Sequence, residues 1–427
     1  MSDPVSGEAA AEIESPPDET AIPLLEGEQR DPEPALDTPP RDAVGVQPGL
    51  AVGPGPVLPS PHYPWGLWGV FGLLFLITTA CGFRGVRSLG DFWLAGVQDL
   101  PFIVFALLAH AGERRYWARG VLLAAYFLFG QVLLVGASVG LAFCAAAIPR
   151  AGSTTPDMNM GLLWANCVEF AFLGILTTAL AVILFLPAVR ARVARRLPIN
   201  PDSFVHAAAL SLVGISAFWS IGQLLVTEGK PALLRMIALA PPEELGLGTI
   251  VFALCWSGAV ALAGAGFPTR RNLPEALMRL GLLVPNRRQV AGGVLVAILL
   301  AGASIPLDWA LGHVFHALHI PRTDTEAFGK LLEPLLTPAG AALIGITAGV
   351  GEEMVFRGAL QPRLGLGLSN LLFAAIHALQ YGFDGLIAVF LIGLALGVLR
   401  QRTNTTVCCL VHGLYDFILV MMEVLAK

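Results

Sequence analysis

The chain is 427 residues long, 55% hydrophobic and only 13% charged, with a mean hydropathy of +0.70 and a formal net charge of −5. Soluble domains carry about 25% charged residues, so this composition excludes an ordinary water-soluble globule or a nucleic-acid binder. It predicts an all-α, polytopic transmembrane helix bundle.

The charge is unevenly spread: residues 1–64 carry −10 and the remainder +5. The first 64 residues hold twelve acids against Arg30 and Arg41 and are proline-rich, as at Pro16-Pro17 and Pro39-Pro40. They contain too few large apolar side chains to offset ordering entropy, which predicts a disordered cytoplasmic tail. A solvated extension is the favoured reading of this tail, and recruitment of a partner the other. It lacks the basic region followed at once by an apolar run that marks a signal peptide.

Spanning helices need about 20 apolar residues. About eleven candidates follow, with eight as the lower bound: 65–83, 92–111, 120–147, 161–189, 204–226, 248–267, 290–312, 336–356, 366–380, 383–399 and 405–424. Asp99 and Pro101 interrupt the second. The ninth and tenth are short, as suits segments packed within protein. With the N-terminus inside, the inner loops hold 16 Lys/Arg and the outer segments 8, the expected inside bias. Residues 268–289 form a basic amphipathic stretch predicted to lie at the cytoplasmic interface. They divide an N-terminal helical region, 65–267, from a C-terminal region, 290–427, that holds almost all the chemistry-capable groups at membrane depth.

The six cysteines fall in apolar runs without metal-ligand or disulfide spacing and read as small buried residues. Arginine outnumbers lysine 23 to 3, a bias of GC-rich bacterial genomes that points to a bacterial inner membrane.

Glu352 and Glu353 stand side by side in an apolar segment, where one carboxylate costs roughly 2.5–3.5 kcal/mol to insert. Glu353 and Arg357, four apart, share a helix face, while Glu352 is turned about 100° away. The next helix carries Phe373 and His377, and the last carries His412 and Asp416, each pair again four apart. A carboxylate and two imidazoles on separate helices suit hydrolysis in two ways. The glutamate, aided by a histidine, can activate water while the other histidine stabilises an oxyanion. Alternatively, Glu352, His377 and His412 can ligate zinc with a position open for water.

Glu-Glu-x-x-x-Arg at 352–357, Phe-x-x-x-His at 373–377 and His-x-x-x-Asp at 412–416, in this order, resemble the motifs of the CAAX-processing and bacteriocin-processing (CPBP/Abi) intramembrane proteases, which include CAAX prenyl protease type 2. Phe356-Arg357-Gly358 and Leu399-Arg400-Gln401-Arg402-Thr403 add to the match, which covers roughly 290–424. The resemblance implies a bundle around a conical intramembrane cavity and an endopeptidase acting on a membrane-embedded or membrane-adjacent peptide. It implies Glu352 as the water-activating residue with His377 its partner, His412 and Asp416 as the oxyanion site, and Glu353 with Arg357 as a supporting pair. A metal-free glutamate mechanism is the favoured implication, with zinc as the alternative. Asp416 departs from the asparagine common at that place, and an ionised carboxylate would repel an oxyanion. A non-catalytic scaffold or immunity protein of the same fold, or a proton-coupled transporter, are the competing functions.

Three other features invite functional readings. His313, His316 and His319 drift around a helix and are read as interfacial rather than metal-binding. Glu169, near Asn166, is taken as a packing or cavity-lining group. Gly393 and Gly397 are taken as a close-packing pair.

Overall fold

The computed structural model describes residues 99–148, 157–231 and 247–426, with Gly72, Leu73, Leu76 and Gly96 before them. The tail 1–64 and nearly all of the first expected span lie outside the described residues. Among the described residues the architecture is helical, apart from a two-residue antiparallel pair, Ala147–Ile148 with Asp157–Met158.

The elements are α1 (Leu100–Gly112), α2 (Tyr116–Leu128), a π-helical turn, α3 (Val135–Ala146), α4 (Met160–Ile183), α5 (Pro187–Val193) and α6 (Phe204–Val226). Then follow α7 (Leu247–Ala265), α8 (Leu273–Arg279), α9 (Arg287–Ala317), α10 (Thr325–Leu332), α11 (Pro338–Glu353), α12 (Gln361–Ile376), α13 (Phe383–Arg402) and α14 (Thr405–Ala426). Six helical runs are long and apolar enough to cross a membrane: α4, α6, α9, Pro338–Leu379, α13 and α14. By that measure the expected eleven spans are not reached among the described residues: the first lies almost wholly outside them, α1 and the apolar part of α7 are shorter, the third is split into α2, a π turn and α3, and the eighth and ninth form the one run Pro338–Leu379.

Asparagine caps set the starts of the helices on the basic stretch. The Asn272 side chain accepts from Glu275 N at 3.0 Å while the Glu275 carboxylate accepts from Asn272 N, and Asn286 and Gln289 repeat this arrangement at α9. Thr405 Oγ1 donates to Leu280 O at 2.6 Å, so the segment after α8 is stitched to the start of α14.

Although continuous in composition, Pro338–Leu379 is folded back on itself. A π-helical turn, Met354–Leu360, follows α11, and Gly365 in α12 has φ +77°. A side chain at 365 would be strained by that φ, and its Cβ would stand 2.6 Å from Pro198. Beyond this break the chain runs antiparallel to the π turn: Ser369 Oγ donates to Phe356 O at 2.8 Å, and the Phe356 and Phe373 rings meet edge-on at 5.2 Å.

α11 and α14 approach to backbone contact. A Cβ at Gly349 would lie 2.5 Å from Gly413 N, and one at Gly345 would lie 2.4 Å from Gly413 O. Small residues permit such approach where no hydrophobic effect drives helices together. Gly349 is one turn before Glu353 and Gly413 follows His412, so this seam fixes the distance between those two side chains. Gly349→Ala is therefore expected to lower thermal stability in detergent. Alanine favours a helix by about 1 kcal/mol, but forcing atoms into closed packing costs about 1–3 kcal/mol. Gly302→Ala, with nothing within 4 Å of its added methyl, is the control and should be neutral or stabilising. Equal stabilisation by both would contradict the tight seam.

Candidate active site

The two glutamates end α11 and enter the π turn, a distortion frequent at functional sites. Their environments differ. The Glu353 side chain is 0% exposed, whereas that of Glu352 is 27% exposed.

Glu353 is the hub of a buried charge cluster. Its Oε1 is 2.8 Å from His412 Nδ1 and 3.1 Å from Arg357 Nη1. Arg357 Nη2 donates to Gly393 O at 3.1 Å, and its guanidinium carbon lies 4.1 Å from the Phe373 ring centre. One turn on, Gln361 Nε2 donates to Gly397 O at 2.8 Å. The Gly393/Gly397 pair is thus a packing device, since a Cβ at 397 would meet Leu366 at 2.2 Å, and also two carbonyl acceptors for the π turn and the start of α12. His412 Nε2 faces Asp416 Oδ2 at 3.5 Å, so both ring nitrogens of His412 point at carboxylates.

Glu352 faces the other way. Its Oε2 is 3.9 Å from His377 Nε2, and both residues line a cavity of about 800 Å³. His377 Nδ1 lies 2.7 Å from Phe373 O. A carbonyl can only accept, so Nδ1 donates and a neutral His377 turns the lone pair of Nε2 toward Glu352. The Phe373 ring packs against both imidazoles, 5.0 Å from His377 and 5.9 Å from His412. Tyr381, four residues beyond His377, lies nearly parallel to its ring at 6.1 Å. The motifs do not single out Tyr381, although its spacing from His377 is helical. Gln380, also outside the motifs, lines the cavity with Glu352 and His377.

All six expected site residues are brought together, but in two tiers. Glu352 and His377 line the cavity; Glu353, Arg357, His412 and Asp416 stand behind them and do not line it. The alternative zinc set of Glu352, His377 and His412 does not converge, because both nitrogens of His412 are turned to other carboxylates. Among the described residues no three His, Cys, Asp or Glu side chains are grouped to hold a metal. That includes His313, His316 and His319, which are exposed, with His313 Nδ1 2.8 Å from Trp309 O.

The N-terminal region is not chemically plain, contrary to the expectation from its composition. α1 with its preceding residue Asp99, α6 and α7 build much of the cavity wall, the helices contributing His110, Ser216, Ser220 and Ser257. Glu169 lines a separate apolar groove of about 610 Å³ against α6 and does not reach this cavity. Cys408 and Cys409 are buried as expected, but Cys167 and Cys255 are only half-buried; all four are free thiols.

The match with known proteins falls on this same region. A family model described as type II CAAX prenyl endopeptidase, Rce1-like, matches residues 334–418. No curated protein and no solved structure matches the chain. Every side chain of both tiers lies within the matched residues, from the glutamate pair of α11 to Asp416 of α14. Residues 334–418 are thus similar to the Rce1-like, type II CAAX prenyl endopeptidase family, within a multi-pass helical membrane protein.

Proposed function

We propose that the chain is an intramembrane endopeptidase that hydrolyses a peptide bond of a membrane-associated substrate with water activated by Glu352 and His377. The Rce1-like domain supports a membrane protease acting on membrane-associated peptide in general terms. The observation that carries the finer reading is the pairing of Glu352 with His377 on the cavity wall, 3.9 Å apart. That gap exceeds a direct hydrogen bond and fits a single water donating one proton to each group.

Glu352 takes one proton as the water oxygen bonds to the carbonyl carbon, then passes it to the amide nitrogen as the C–N bond breaks. The second proton, held toward His377 Nε2, leaves from the new carboxyl group. Gln380 offers a neutral amide N–H within the same wall for the developing oxyanion. Asp416 would oppose an oxyanion, and His412 turns both nitrogens to acids. Their role in this reading is to hold Glu353 and, through the turn of helix it shares with Glu352, to fix the water-activating carboxylate.

Orientation follows from the ends of the bundle. Arg114, Arg115, Arg192, Arg195, Arg270, Arg271, Arg287, Arg288, Arg400 and Arg402 fall at one end, the end where Thr405 meets Leu280 and Gly365 meets Pro198. Arg322 lies at the other, where the Thr323 hydroxyl accepts from Gly382 N. We place the arginine-rich end in the cytoplasm, in keeping with a bacterial inner membrane.

Purified protein in liposomes with a library of membrane-anchored peptides tests the reading, with products identified by mass spectrometry. Cleavage at a defined bond is expected. Chelators such as EDTA and 1,10-phenanthroline should leave its rate unchanged. A library left intact by folded protein would sink the proposal, and loss of activity restored by zinc would replace it with metal-assisted hydrolysis.

A further inference from the structure

His377 and Gln380 belong to one short turn, residues 377–382, that joins α12 to α13. Within it Gln380 N and Tyr381 N both donate to His377 O at 2.9 Å, so the turn closes on itself. Each of its ends is tied to a distant part of the chain. At the first, Gln223 of α6 donates from Nε2 to Ala378 O at 2.7 Å. At the second, Gly382 N donates to Thr323 Oγ1 at 2.9 Å. Gln380 stands between the two ties and lines the cavity.

The outer tie is built around Asp384, which is buried in the first turn of α13. A hydroxyl has one proton, and that of Thr323 goes to Asp384 Oδ1 at 2.6 Å, which leaves its lone pairs for the Gly382 N–H. Thr323 N donates to the same oxygen at 3.0 Å, and Arg322 Nε donates to Oδ2 at 3.1 Å. Arg322 also pairs with Asp308 of α9. Hydrogen bonds to a carboxylate are about twice as strong as neutral ones, so Asp384 fixes the hydroxyl and the hydroxyl fixes the turn. Space is closed here as well. A Cβ at Gly382 would stand 3.0 Å from Gly229 O, and one at Gly229 would stand 3.3 Å from the Phe383 ring. Arg322, Thr323 and Asp384 do not line the cavity, and Thr323 precedes the matched residues 334–418.

We propose that Thr323, oriented by Asp384, is a positioning residue that holds the Gln380 amide where the oxyanion develops. This rests on the cleavage reading above. A turn tied only at Ala378 is free to swing at its Gly382 end, and displacing a catalytic group by about 1 Å costs about 10²-fold in rate. The tie acts on the chemical step and not on binding, because the wall that receives a peptide comes largely from α1, α6 and α7.

Thr323→Val tests this, since valine keeps the shape of the side chain but cannot accept the Gly382 N–H. Thr323→Ser keeps the hydroxyl and is the conservative rescue. Cleavage of the anchored peptide library by purified protein in liposomes gives kcat and KM for each. Thr323→Val is expected to lower kcat by about 10²-fold with KM nearly unchanged, and Thr323→Ser to retain most of the rate. Gln380→Ala should lose a similar factor. Adding Thr323→Val to Gln380→Ala should cost little more, because the residue acts through an amide already removed. Hydrogen exchange read by mass spectrometry needs no substrate, and it should quicken over residues 377–382 in Thr323→Val but not in Thr323→Ser. Wild-type kcat in folded Thr323→Val, with or without a lower thermal midpoint, would overturn the proposal and leave the hydrolysis standing. So would losses that multiply in the double variant, or Gln380→Ala protein that cleaves at the wild-type rate. If wild-type protein cuts no peptide while Thr323→Val still loosens the turn, the hydrolysis falls and takes the role of Gln380 with it, and only the tie remains.

Discussion

Glu352→Gln is expected to lower peptide cleavage by about 10²–10⁴-fold, the usual contribution of a positioned general base. The amide is nearly isosteric and keeps a hydrogen-bonding contact with the cavity, but it cannot take the proton from water. Fold and substrate capture should therefore be retained, because Glu352 is the partly exposed member of the pair and carries none of the buried cluster. Glu353→Gln is the informative contrast. It strips the negative charge from beside Arg357 and His412, so its loss of activity should come with a loss of thermal stability. Wild-type cleavage by folded Glu352→Gln protein would eliminate this glutamate as the base.

Arg357→Met should be the most destabilising single substitution in the site. The arginine is 2% exposed, and it joins Glu353, Gly393 O and the Phe373 face. Removing one partner of a buried ion pair costs about 3–5 kcal/mol, because the remaining charge is left uncompensated. Folded proteins are stable by only about 5–15 kcal/mol, so this loss should appear as a large drop in the thermal unfolding midpoint in detergent. The double variant Arg357→Met/Glu353→Gln should recover part of it, since no charge is then stranded between them. His412 would still face Asp416. An unchanged midpoint in Arg357→Met, or additive losses in the double variant, would contradict the buried-cluster account.

Spacing of four residues makes much of the site legible in the amino-acid sequence. In a helix it puts Glu353 with Arg357 and His412 with Asp416, and both pairs are found together. The same rule turns Glu352 away from its neighbour, and the structure sends the two to different surroundings. What spacing cannot convey is contact between helices. The 2.8 Å bond from His412 to Glu353 depends on how closely α11 and α14 approach, which Gly345, Gly349 and Gly413 decide from three separate turns. The motifs suggest His412 and Asp416 as an oxyanion site, and nothing local reveals that His412 Nδ1 bonds Glu353 while Nε2 faces Asp416.

The positions of the helices are also legible, because an apolar run of sufficient length has few other fates. The expected spans 204–226 and 405–424 lie within a residue or two of α6 and α14. The fold-back at Gly365 is legible only as a gap between the apolar runs 336–356 and 366–380, since composition does not encode a positive φ. The cavity is least legible of all. Its wall takes Asp99 from the start of α1, His110 from its last turn and serines from α6 and α7, residues far apart in the chain that look unremarkable in isolation.

By itself, then, the sequence determined that this is a multi-helix membrane protein and that it carries an acid pair, two histidines and an arginine within its apolar segments. It did so because burial of charge and helical periodicity are properties of short segments. Only the tertiary structure decided that Glu352 and His377 face the cavity while Glu353, Arg357, His412 and Asp416 brace them from behind. That division depends on which helix faces meet, and those are selected by glycine seams and backbone breaks acting between distant parts of the chain.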